Sequence, residues 1–160
     1  MDMFYKGQGV PQDFDESAKW LQLVAKDGNA DAQANLGWIY SRGEGVPQDY
    51  AEAAKWYRLA AEQGDADAQL NLGTIYALGH GIPQNFIRAH MWFNIAAIKG
   101  KADGVKGRNA AAKQMTSVDI SKAQNKAREW TFLHGHSLVW YGVVQLFQDA
   151  VDATKVQRRS

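Results

Sequence analysis

The chain has 160 residues, a formal net charge of +1 and no cysteine. The near-neutral balance gives no electrostatic argument for nucleic acid as a partner. The missing thiols exclude disulfides, thiolate metal sites and a cysteine nucleophile. The longest apolar run, Leu138 to Val144, is far short of the ~20 residues that cross a bilayer. No basic segment followed by an apolar run opens the chain, so no signal peptide is visible and the compartment stays open between cytoplasm and, for a trimmed chain, periplasm or exterior.

The stretch Gly7-Gln8-Gly9-Val10-Pro11-Gln12-Asp13-Phe14 returns as Gly43-Glu44-Gly45-Val46-Pro47-Gln48-Asp49-Tyr50 and again as Gly79-His80-Gly81-Ile82-Pro83-Gln84-Asn85-Phe86. The period is 36 residues both times, and a fixed period of that size marks stacked structural repeats. The chain opens in mid-repeat: Phe4 is in phase with Tyr40 and Tyr76, each just ahead of the turn. That reads as a trimmed first helix, or as a degenerate capping repeat.

Each repeat reads as two helices. At the turn, Gly43 takes the left-handed conformation that ends a helix, and Pro47 holds Val46 out of the helical region. Asp49 then caps the next helix, with Glu52 placed to complete a capping box, as Asp13 and Glu16 do one repeat earlier. Asn85 keeps the cap, but Arg88 stands in place of the Glu. The second helices are expected at about 14–26, 50–63 and 86–99. Their inward stripe is read as Phe14/Tyr50/Phe86, Trp20/Trp56/Trp92, Leu23/Leu59/Ile95 and Ala25/Ala61/Ala97. Gly28, Gly64 and Gly100 end them. The first helices of the next repeats are expected at 31–42 and 67–78, with Asp31 and Asp67 favoured by the dipole at their starts. Gly37 and Gly73 sit in mid-helix at the same phase, where glycine costs about 1 kcal/mol. This predicts a close helix crossing, with Trp20 and Trp56 as the bulky partners.

The fourth unit departs from the pattern. Arg108 stands at the Leu36/Leu72 phase, Asn109 at the glycine phase and Ala112 at the tyrosine phase, and no proline turn follows. Thr116 or Ser117 is placed to cap a polar helix over about 118–130, the polar outer face that a solenoid end needs. Beyond the break His134-Gly135-His136, residues 137–156 read as one more helix. Val139, Val143, Leu146, Phe147 and Ala150 form its stripe, widened by Trp140, Val144 and Val151. It either folds back on the last repeat, serves docking or dimerisation, or has no stable place in the fold. The domains are therefore read as repeats over 1–112, a capping helix over 113–133 and an apolar C-terminal helix over 134–160.

The repeat resembles the Sel-1-like repeat family, a relative of the tetratricopeptide repeat. The resemblance is carried by Ala-x-Ala-Gln-x-Asn-Leu-Gly-x-Ile-Tyr at 30–40 and 66–76, by Gly-x-Gly-Val-Pro-Gln-Asp, and by Ala53 to Gly64. It covers about residues 4–105. It implies an all-α fold, a right-handed α-solenoid of antiparallel helix pairs. It also implies an adaptor role, with a concave surface of first helices presented to a protein or peptide. A cysteine-rich branch of the family is associated with penicillin binding, which suggests a hydrolase acting on β-lactam or peptidoglycan; a chain without cysteine is a poor analogue of that branch.

No active-site constellation is visible, and no metal or cofactor is implied. His134 and His136 read as loop residues, His80 as turn polarity and His90 as a packed substitution of Ala18 and Ala54. Lys106, Arg108 and Lys113 read as a solvated basic cap. The turn glycines are no phosphate loop, because no Lys-Ser/Thr follows them. Binding specificity is expected in phases of the first helices that vary: Trp38 against Thr74, Tyr5 against Ser41 and Ala77, Leu70 against Ala34, and Arg42 against Leu78 and Lys6. Asn35 and Asn71 repeat and, through the resemblance, suggest contact with a peptide backbone; hydrogen bonding to a neighbouring turn is the other reading. The candidate partner-binding residues are thus Tyr5, Asn35, Trp38, Arg42, Leu70, Asn71, Thr74 and Leu78, with self-association through the C-terminal helix as an additional possibility. On this reading Trp38→Ala changes stability by less than about 1 kcal/mol, whereas Trp56→Ala costs about 3–5 kcal/mol.

Overall fold

The computed structural model describes residues 14–134 and 146–155. All the elements found there are helical, with no strand among the described residues. In chain order they are α1 (Phe14–Lys26), α2 (Ala30–Arg42), α3 (Tyr50–Glu62), α4 (Ala66–Leu78), α5 (Phe86–Ile98), α6 (Ala102–Ala112) and α7 (Ser117–His134). Residues 146–155 are also helical. The chain divides into two compact units, 1–127 and 128–160.

In the first unit each helix packs on its neighbour in sequence from α1 to α6, and the first helices of consecutive repeats, α2, α4 and α6, also touch in succession. This is an α-solenoid of antiparallel helix pairs. Local chemistry sets the boundaries. Gly43 and Gly79 end α2 and α4 in the left-handed region, both at φ +69°, and donate their N–H groups to Ile39 and Ile75. Asn29 and Asp65 cap α2 and α4 by accepting from the Ala32 and Ala68 N–H groups. Asp49 and Asn85 cap α3 and α5 with identical backbone angles. The expected reciprocal half of the capping box does not form. The Asp49 and Asn85 N–H groups donate instead to the Tyr40 and Tyr76 carbonyls, each at 2.9 Å, so Glu52 is released to pair with Lys55. The Asp13 cap lies outside the described residues.

The core corrects the inward stripe. Leu23 and Leu59 are 66 % and 43 % exposed, while Leu21 and Tyr57 are buried. The stripe runs through 18, 21 and 25 on α1, and a helix advancing about 100° per residue carries position 23 to the far side from 21. Trp56 and Trp92 are buried, but Trp20 is only partly so and flanks a cluster formed by Leu21, Leu36, Ile39 and Trp56. The mid-helix glycines admit a ring, as expected, but not a tryptophan. A Cβ on Gly37 would lie 2.6 Å from the Tyr57 ring, and one on Gly73 2.9 Å from the Phe93 ring. In the fourth unit the close approach moves two residues ahead of Asn109: a Cβ on Gly107 would lie 2.7 Å from the same Phe93 ring.

α7 begins on the Thr116 cap, whose Oγ1 accepts from the Asp119 N–H at 3.1 Å. Ala123, Ala127 and Trp130 are its buried positions. It runs on to His134, which is therefore helical and not a loop residue: its ring stacks on Trp130 at 4.3 Å. His136 and the positions Val139, Trp140, Val143 and Val144 lie outside the described residues. Within 146–155, Leu146 and Phe147 are each 72 % exposed.

Candidate partner-binding face

The first helices of successive repeats, α2 and α4, share nine of thirteen residues, and all of their buried positions fall among the shared ones. Ala32, Leu36, Gly37 and Ile39 on α2, and Ala68, Leu72, Gly73 and Ile75 on α4, are consumed by packing. What stays open on α2 is Asn35 and Trp38, half-buried, and Arg42, exposed. On α4 it is Leu70 and Asn71, half-buried, with Thr74 and Leu78 exposed. Tyr5 lies outside the described residues.

Asn35 and Asn71 recur one repeat apart, and neither side chain has a hydrogen-bond partner among the described residues. The reading in which they tie down a neighbouring turn is not realised. The repeating glutamines do that work instead. Gln33 and Gln69 are buried and donate to the Ala25 and Ala61 carbonyls at the ends of α1 and α3. Sequence reasoning missed these two; a polar residue repeating at a buried phase was the available signal.

Trp38 packs its ring against the Leu21–Trp56 cluster and carries the Arg42 guanidinium over its outer face at 4.8 Å, within cation–π range. Arg42 also pairs with Glu44 at 3.2 Å. Beside this pair the turn encloses an open polar depression of about 420 Å³ lined by Ser41, Arg42, Glu44, Gln48 and Tyr50. On α4 the Thr74 hydroxyl donates to the Leu70 carbonyl, and Leu78 stands 56 % exposed at the helix end.

Buried titratable groups serve the scaffold. Burial pushes the Tyr57 phenol up to about 12, against the pull of its hydrogen bond with Ser41. Burial, with the Arg108 charge beside it, holds His90 below the usual histidine value, and its Nδ1 has no partner. Among the described residues no group of three or more His, Asp or Glu is placed to hold a metal ion. No helix there is long and apolar enough to cross a membrane.

The architecture is thus a helical repeat protein whose first helices copy every buried phase from one repeat to the next and differ only at open ones. The Sel1 repeat model matches the chain at residues 2–29, 30–65 and 66–101, and the chain belongs to the Sel1 repeat family. The matched segments open on α2 and α4, in step with the helix pairs seen here. Among solved structures, the chain is similar to c5321, a protective antigen of uropathogenic Escherichia coli displaying an SLR fold, with 31 % identity and a TM-score of 0.72. The match covers 76 % of this chain and 27 % of that one. A Sel1 repeat protein from Oxalobacter formigenes is similar at 32 % identity and a TM-score of 0.64, over 83 % of this chain and 54 % of that one. The chain thus spans about half or less of the length of these relatives. No curated protein matches it. The Sel1 repeat fold generally mediates protein–protein interaction.

Proposed function

We propose that the chain is a scaffold that presents the open face of α2 and α4 to a protein or peptide partner. The observation that carries the reading is the pair Asn35 and Asn71: two half-buried amides in equivalent places, neither with a hydrogen bond to another side chain or backbone group among the described residues. An amide offers both donors and an acceptor, the complement of an extended backbone. The non-repeating neighbours Trp38, Arg42, Leu70, Thr74 and Leu78 then select the side chains of the guest, with tryptophan and arginine the residue types that carry most interface energy.

The test is capture of a partner from native lysate by the whole chain, compared with Asn35→Ala/Asn71→Ala and Trp38→Ala. The reading predicts that both variants keep their helical circular dichroism and lose the captured protein. Because Trp38 is packed against the core on one side, its truncation costs about 1–2 kcal/mol, more than an exposed residue would. Undiminished capture by the double asparagine variant contradicts the reading.

A second reading has one observation in its favour. Leu146 and Phe147, both largely exposed, with Val151 one turn on, form an uncovered apolar strip on the helix 146–155. Self-association through this strip predicts that the full chain sediments as a dimer and that Leu146→Asp/Phe147→Asp sediments as a monomer. Two monomers, or two dimers, exclude it.

A further inference from the structure

The junctions between consecutive repeats differ around one tyrosine. Where α1 meets α2, Gln22 donates to the Tyr40 hydroxyl at 2.9 Å, and the next helix starts with the carboxylates Asp49 and Glu52. Where α3 meets α4, the matching residues are Arg58, Tyr76, Asn85 and Arg88. The Arg58 guanidinium donates to the Tyr76 hydroxyl oxygen at 2.8 Å, and that of Arg88 to the same oxygen at 3.1 Å while covering the Tyr76 ring. The four matched positions carry two carboxylates and no cation in one repeat, and two guanidiniums and no carboxylate in the next.

Two like charges that share one acceptor lie within about 6 Å of each other and repel. Among the described residues neither is ion-paired. Both side chains reach solvent, whereas Tyr76 beneath them is buried. A phenol has two acceptor sites and one proton to give. Arg58 and Arg88 fill the acceptor sites, so the Tyr76 proton is left as a third donor. α5 adds to the positive field: Arg88 stands in its first turn, which holds no acidic residue.

We propose that Arg58, Arg88 and Tyr76 form a binding site for a tetrahedral oxyanion of the phosphate class. A phosphate bridging the two guanidiniums neutralises their repulsion, takes charge-assisted hydrogen bonds from both and accepts the phenol proton. Its arginines lie on α3 and α5 and its tyrosine on α4, none of them among the residues proposed to hold the peptide, so the site stands or falls independently of that reading.

The test is titration of the whole chain with inorganic phosphate at neutral pH and low ionic strength, with chloride at matched ionic strength as the control, followed by NMR of the arginine side-chain N–H signals. Arg58→Gln and Arg88→Glu each install the residue of the preceding repeat, so both variants are expected to fold. The expected result is saturable binding that moves the Arg58 and Arg88 signals and weakens at least tenfold in either variant. Phosphate then raises the melting temperature of the parent chain but not of Arg88→Glu. Non-saturating shifts, or equal affinity in parent and variants, overturn the site. Acetate binding as tightly as phosphate overturns the phosphate assignment. A phosphoserine peptide that outcompetes inorganic phosphate assigns the site to a peptide-borne phosphate, and the reverse order to the free ion.

Discussion

Helices α2 and α4 are near-copies set one repeat apart, and their four differences are informative. Ala34, Trp38, Ser41 and Arg42 on α2 become Leu70, Thr74, Ala77 and Leu78 on α4, and none of the eight is buried. Two of the changes bear on nothing inside the stack, and a third, at Trp38, touches it through only one side of the ring. The fourth does bear on it: Ser41 bonds the Tyr57 hydroxyl, and in the next repeat Ala77 accompanies Phe93, which has no hydroxyl to satisfy. A phase that varies is therefore free only when its partner phase does not vary with it. By that measure 34/70, 38/74 and 42/78 are open to selection by a guest, and 41/77 belongs to the packing.

This comparison is broken most forcefully at a shared, buried phase. Trp56→Ala removes a ring that closes the Leu21–Ile39 cluster and is expected to cost about 3–5 kcal/mol in denaturant unfolding. A loss no larger than that of Trp38→Ala contradicts the division into packed and open phases. Next in size is Gly37→Ala. The new methyl meets the Tyr57 ring at 2.6 Å, overpacking that costs about 1–3 kcal/mol against a helix-propensity gain of about 1 kcal/mol. The expected outcome is a net loss, which reverses to a gain in a Tyr57→Ala background; a double-mutant cycle measures it. Additive effects there would mean that the ring is not what excludes the methyl.

The junctions sharpen the comparison at smaller scale. Gln63 donates to both the Gly28 carbonyl and the Gln33 Oε1, whereas Lys99, one repeat on, reaches the Gly64 carbonyl and leaves the buried Gln69 Oε1 unpartnered. Lys99→Gln restores the first arrangement and is expected to stabilise by about 0.5–1.5 kcal/mol; a destabilised variant would mean that the two junctions are not interchangeable. The smallest effect is pH-dependent. His90 is held neutral in the fold, below its unfolded value of about 6.5. Its contribution is complete above that pH and is lost as pH falls toward the lower folded value, since protons then bind the unfolded chain first. His90→Ala, matching Ala18 and Ala54, should flatten the fall of melting temperature below pH 6.5 in a pH series. An unchanged slope would assign that fall to other groups.

Much of this was legible in the sequence because the repeat writes its local signals three times. Caps at Asp49 and Asn85, left-handed glycines at 43 and 79, and the two-helix unit depend on residues within a few positions of each other. What was not legible depends on rotation about a helix axis. Trp56 and Tyr57 differ by one residue, and size alone favoured the tryptophan as the filler over Gly37, yet it is the tyrosine that points there. The same error placed Leu23 and Leu59 inside. The freedom of Asn35 and Asn71 from internal bonds, and the convergence of Arg58 and Arg88 on one oxygen, needed coordinates, since each joins helices 12 to 18 or more residues apart in sequence.

The most direct measurement rewrites the open phases of α2 as those of α4 in one chain: Ala34→Leu, Trp38→Thr and Arg42→Leu, with Ser41 kept. Thermal unfolding and partner capture are then read side by side with the parent. The division of phases predicts a folded protein whose melting temperature falls by no more than about 8 °C, and which no longer retains the partner. A variant that unfolds outright, or one that keeps the partner at full strength, contradicts it.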